Sequence, residues 1–120
     1  MKVMPQEVEL WYLIPALRGK IAKILVKDYD LSQVEIAKIL KITESAVSQY
    51  LKEKRGNELK FTEKEIESIR EIVGHIYSKK LDANQEIYKL CVKFRGCDSL
   101  CNFHKTKDKS LPKDCDICVC

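Results

Sequence analysis

The stretch SQVEIAKILKITESAVSQYL, Ser32 to Leu51, decides how this chain folds. Ile36, Ala37 and Leu40 recur at the spacing of one helical face, and Val47, Tyr50 and Leu51 repeat the pattern a few residues later. Ile42 supplies an apolar plug for a short turn between the two runs. Ser32 is followed three residues on by Glu35, with Leu31 and Ile36 placed to clasp around that helix start. Thr43 stands between Ile42 and Val47 in the same relation, although Ala46 leaves its capping box incomplete. The spacing therefore predicts a helix-turn-helix over about Ser32 to Lys54, with the small Ala37 side chain where the two backbones cross closest.

A second helix of this kind lies in the major groove of double-stranded DNA, with its outward residues toward base edges. Here those residues are Thr43, Glu44, Ser45, Ser48 and Gln49. Gln49 can pair bidentately with adenine, Glu44 can accept from a cytosine amino group, and the serines can donate or accept. Lys52, Lys54 and Arg55 follow at the helix end and beyond, suited to phosphates that set position without reading sequence. The expected function is sequence-specific DNA binding by a transcription regulator. One motif offers few contacts, so a homodimer on a pseudo-palindrome is the expected state. The alternative is a protein-interaction adaptor that docks a partner through the same motif.

The rest of the chain reads as helical. With 120 residues, 45% hydrophobic and 33% charged, there is room for one modest core and an appendage. Gln6 to Lys27 carries Leu10, Leu13, Ile14, Leu17, Ile21, Ile24 and Leu25 at helical spacing. Pro15 interrupts it, so either the helix kinks or a short helix ends and Pro15 opens the next. Trp11 and Tyr12 are assigned to packing or to a dimer contact. Thr62 with Glu65, flanked by Phe61 and Ile66, starts another helix. Asp82 with Gln85 starts the last, which presents Ile87, Leu90, Cys91 and Phe94 on one side. The expectation is an all-α bundle over 1–94, in which the helices of 62–94 form a dimer surface or complete a five-helix core, followed by a cysteine-rich segment over 95–120.

Several functions are excluded. No Gly-rich phosphate loop, nucleophile elbow or HExxH is present, so the chain is not read as an enzyme and no small-molecule substrate is evident. His75 has no ligand-type neighbour and is assigned a structural or solvated role. The apolar run from Leu10 to Leu17 is cut by Pro15 and followed by Arg18, too short to span a membrane. Glu7 and Glu9 occupy the place of a signal-peptide core, and a cytoplasmic protein is expected. The net charge is +4, with a basic excess between Lys79 and Lys113 that suits either a solvated surface or nucleic acid.

All six cysteines fall in the last thirty positions: Cys91, Cys97, Cys101, Cys115, Cys118 and Cys120. In a chain read as cytoplasmic, this points to metal or redox chemistry over structural disulfides. An iron–sulfur cluster on four thiolates is the favoured cofactor, because thiols in excess of four suit it or a thiol switch. Zinc is the alternative, with Cys101 and His104 meeting Cys115 and Cys118 in a Cys3His site. The cofactor would sense redox, oxygen or metal status, or zinc would merely fold the segment.

The residues of the motif, from Leu31 to Gly56, resemble the helix-turn-helix of the lambda-repressor-like family. One position departs: the turn of that family commonly holds a glycine, which adopts positive φ freely, where this chain has Lys41, and a lysine there costs about 1 kcal/mol. The whole chain is similar to a group of archaeal XRE-type regulators, through ELWYLIPALR at Glu9 to Arg18, ITESAVSQYLKEKRG within the motif, and CDIC at Cys115 to Cys118. The resemblance implies a lambda-repressor-like DNA-binding domain with a C-terminal cysteine cluster.

Overall fold

The computed structural model describes residues 4–55, 59–94 and 103. Six α-helices and one π-helical turn follow in order: α1 Pro5–Val8, the π turn Glu9–Leu13, α2 Ile14–Tyr29, α3 Gln33–Leu40, α4 Glu44–Leu51, α5 Glu63–Lys79 and α6 Ala83–Phe94. No strand occurs among the described residues.

Pro15 stands in the first turn of α2, and the chain enters that helix without leaving helical conformation. Val8 before the π turn, and Leu13 and Ile14 at its end, keep right-handed helical dihedrals, so α1, the π turn and α2 run on continuously. Proline lacks an N–H and its ring crowds the carbonyl of the preceding turn. Widening that turn to a π register accommodates both, and the Ile14 N–H donates to the Glu9 carbonyl.

The helix starts form as their sequences dictate. The Ser32, Thr43 and Thr62 hydroxyls accept from the N–H groups of Glu35, Ala46 and Glu65, at 3.2, 3.1 and 3.3 Å. Only Thr62 completes the reciprocal box, its own N–H donating to the Glu65 carboxylate at 2.7 Å. Asp82 accepts from the Asn84 N–H at 3.1 Å and so starts α6. Each such cap satisfies a donor that the helix leaves open, worth about 1 kcal/mol.

The stops are less conventional. Asp30, Lys41 and Lys80 all take the left-handed conformation directly after α2, α3 and α5. Lys41, with φ 58° and ψ 43°, is the turn residue identified from sequence. Its ammonium lies 3.3 Å from the Asp82 carboxylate, tying the turn to the start of α6 through an exposed pair of small energetic weight. At this position Lys41→Gly is expected to hold stability level or raise it by up to ~1 kcal/mol, while the β-branched Lys41→Val lowers it by about 1–2 kcal/mol. Urea denaturation of the two variants checks the order; a valine variant as stable as the parent would refute it.

One apolar core joins all the helices. Leu17, Ile21 and Leu25 of α2 are fully buried, and Ile36, Leu40, Val47, Ile69, Val73 and Leu90 bring α3 to α6 into the same cluster. α2 is the central member and packs on α3, α4, α5 and α6. Helices α5 and α6 thus contribute to the core that supports the helix-turn-helix. Among the described residues Glu86 is the exception to apolar burial: it is 5% exposed on α6, with Lys89 at 3.1 Å.

Candidate nucleic-acid interface

Helix α4 is held from behind and open in front. Val47 and Tyr50 are buried against α2 and α3. At about 100° of rotation per residue, Ser45, Ser48 and Lys52 form a stripe roughly opposite that pair, with Glu44 and Gln49 on its flanks. Thr43, Glu44, Ser45 and Lys52 are exposed, whereas Ser48 and Gln49 are half-buried. Thr43 spends its side-chain oxygen on the cap, which leaves its hydroxyl hydrogen for an outside acceptor. Ser45, Ser48, Gln49 and Lys52 therefore share one face, with Glu44 at its edge and Thr43 at the capped start of the helix.

The three cations expected to reach phosphates do not share one role. Lys52 extends the polar stripe of α4. Beyond it the chain reverses at Glu53, which has φ 59°, and the Lys54 N–H closes back on the Gln49 carbonyl at 2.9 Å. Arg55 is carried behind α4, its guanidinium 5.7 Å from the centre of the Tyr50 ring. Such a contact orients the cation.

A second group of charges went unnoticed in the reading of the motif. Lys23 on α2 meets the Glu53 carboxylate at 2.6 Å. The hydrogen bond from Lys23, and then its charge, hold the Glu53 carboxyl below its ordinary range. Partial burial lowers the pKa of Lys20, and repulsion from Lys23, Arg70, Lys27 and Lys60 adds to it. The signal was present as Lys20, Lys23 and Lys27 at i, i+3, i+7 on one face of a helix, but Lys60 and Arg70 join them only through the packing of α5 on α2.

The described residues contain no group of three His, Cys, Asp or Glu side chains able to hold a metal ion. Cys91 lies in the apolar core, 4% exposed, with Ile87, Leu90 and Phe94 of its own helix. Cys97, Cys101, His104, Cys115, Cys118 and Cys120 lie outside the described residues. Phe103 is described: its ring meets that of Tyr12 edge to face, with centroids 4.9 Å apart. It is half-buried against the core. This gives Tyr12 the packing role assigned to it, while Trp11 beside it remains 54% exposed.

Residues 16–53 match the model of a family described as winged helix-turn-helix DNA-binding. The match takes in most of α2 and all of α3 and α4, so this part of the chain is similar to a DNA-binding helix-turn-helix. It agrees with the sequence reading at that level and names a winged family where the residues resemble the lambda-repressor-like one. Among the described residues no strand of a wing follows α4. No curated protein and no solved structure matches the chain. No helix among the described residues is long and apolar enough to cross a membrane.

Proposed function

We propose that this protein is a sequence-specific transcription regulator that reads double-stranded DNA with α4. The observation that carries this reading is the capped α4 whose polar stripe stands clear of the core, within the segment that matches a DNA-binding family. Ser45, Ser48 and Gln49 face base edges, with Thr43 and Glu44 at the entering end. Lys52 and Lys54 engage phosphates, and Arg55 supports the end of α4 through Tyr50. No catalytic role is assigned. The adaptor reading lacks a comparable observation.

Selection experiments on randomised duplexes, together with salt titrations, test the assignment. Gln49→Ala should relax preference at one base position, at a cost of about 1–3 kcal/mol. Lys52→Ala should weaken binding to all sequences and reduce the salt slope by about 1. Binding with no salt dependence would overturn the proposal.

A homodimer on a two-fold operator completes the reading, with the outer faces of α5 and α6 as its surface. Within the last 26 residues, Cys97, Cys101, Cys115, Cys118 and Cys120 supply thiols for four-fold ligation of an iron–sulfur cluster, while the apolar surroundings of Cys91 suit it to packing. Zinc with His104 is the alternative, and metal analysis of anaerobically purified protein separates the two. When bound, such a group would order a segment too poor in apolar residues to build a core. Phe103, in the same stretch of sequence, packs on Tyr12 of the helical turn that leads into α2.

A further inference from the structure

Behind α4, on the side away from the reading stripe, lies a pocket of about 210 Å³ between α2, the end of α4 and the start of α5. That is the space of roughly seven waters at their liquid volume. Four cations line it: Lys20 and Lys23 from α2, Arg55 from after α4, and Lys60 from before α5. Among the described residues one acid, Glu53, faces them and is engaged by Lys23. Among the described residues Lys20 and Lys60 have no carboxylate within ion-pair distance. The floor is apolar and aromatic, with Leu59, Phe61 and the Tyr50 ring.

Cations crowded closely enough to repel one another are held together by the packing of α2 on α4 and α5, at an electrostatic cost that a bound anion would relieve. Glu53 meets only part of this demand. It stands in left-handed backbone immediately after α4, so its carboxylate reaches Lys23 from a turn that could release it. We propose that the pocket binds a small phosphate monoester whose dianion engages Lys20, Lys60 and Arg55, displaces Glu53 from Lys23, and rests its organic group on Leu59 and Phe61. A dianion suits four cations opposed by one carboxylate better than a monocarboxylate does. The phosphate of a DNA backbone is a poor occupant, because Tyr50 points into the pocket from the opposite side of α4 to Ser48 and Lys52. Displacement of Glu53 would couple occupancy to the end of the reading helix, and binding itself does not depend on the DNA-reading assignment.

The test is calorimetric titration of the full chain with phenyl phosphate at constant ionic strength and without DNA. Saturable one-to-one binding is expected, at least ~5-fold tighter than inorganic phosphate because of the apolar floor. Lys20→Gln and Lys60→Gln should each weaken it about three- to fivefold, and together by tenfold or more. Glu53→Gln should strengthen it about threefold by removing the internal competitor. The exposed Lys38→Gln on α3 should leave it unchanged. Absence of saturable binding, equal losses in the Lys38 variant, or indifference to Lys20 and Lys60 would each overturn the proposal. So would displacement of phenyl phosphate by a short duplex at equal phosphate charge, which would assign the pocket to DNA. The single substitutions keep the test decisive if the double variant does not fold.

Discussion

Leu25→Ala lowers the stability of this protein by about 3–4 kcal/mol, enough to bring a domain of this size close to unfolding. Leu25 is fully buried on α2, the helix against which all the later ones pack. Truncation removes the transfer free energy of three carbons and leaves a space that Ile21 and Leu17, themselves enclosed, cannot move to fill. In urea the midpoint should fall by about 2 M for the slope expected of a small domain. The fluorescence of Trp11, on the π turn, and the far-ultraviolet signal of all the helices should move together. Coincident transitions are required because α5 and α6 share the core of α2 to α4. A loss below ~1 kcal/mol would contradict the burial, and two separated transitions would make α5 and α6 an independent module.

Ser45→Glu is expected to abolish most DNA affinity, about 100-fold at moderate salt, without weakening the fold. Ser45 is exposed in the first turn of α4 and, in the proposed complex, at the centre of the surface toward the bases. A carboxylate there brings negative charge into a groove bounded by phosphates, where like-charge contacts cost several kcal/mol. In the free protein the same carboxylate sits near the positive end of the helix dipole, which stabilises by about 0.3–1 kcal/mol. The two effects have opposite signs, so affinity and melting temperature should diverge. A variant that binds DNA as the parent does would remove α4 from the interface; one that loses both affinity and stability would indicate damage to the fold instead.

The local signals were legible because they act over three or four residues. Ser32, Thr43, Thr62 and Asp82 start helices through their own neighbours, whatever the rest of the chain does. Lys41 stands where the helix-turn-helix that these residues resemble commonly holds a glycine, and it has the left-handed conformation. Pro15 showed the limit of such reasoning. Its conflict with a helix was plain, but its resolution by a π turn depends on the chain being held helical on both sides by packing.

The exposed side of α4 was legible for the same reason as the caps: residues on one side of a short helix are known once its buried side is known. How deeply each one sits was not, and Ser48 and Gln49 are half-buried where the pattern had them simply outward. Arg55 differs more. Past the end of α4 no periodicity applies, and the turn at Glu53 carries the guanidinium behind the helix to the Tyr50 ring.

The sequence by itself determined where this protein has its helices, where they begin, and which of their faces are apolar, because caps and periodicity are short-range properties of the chain. Only the tertiary structure decided which charges meet. Lys20 and Lys60 are forty residues apart in sequence, and Lys23 and Glu53 thirty, so nothing local relates them. They surround one pocket because Leu17, Ile21 and Leu25 bury α2 against α4 and α5, and that burial stabilises the fold enough to hold like charges together.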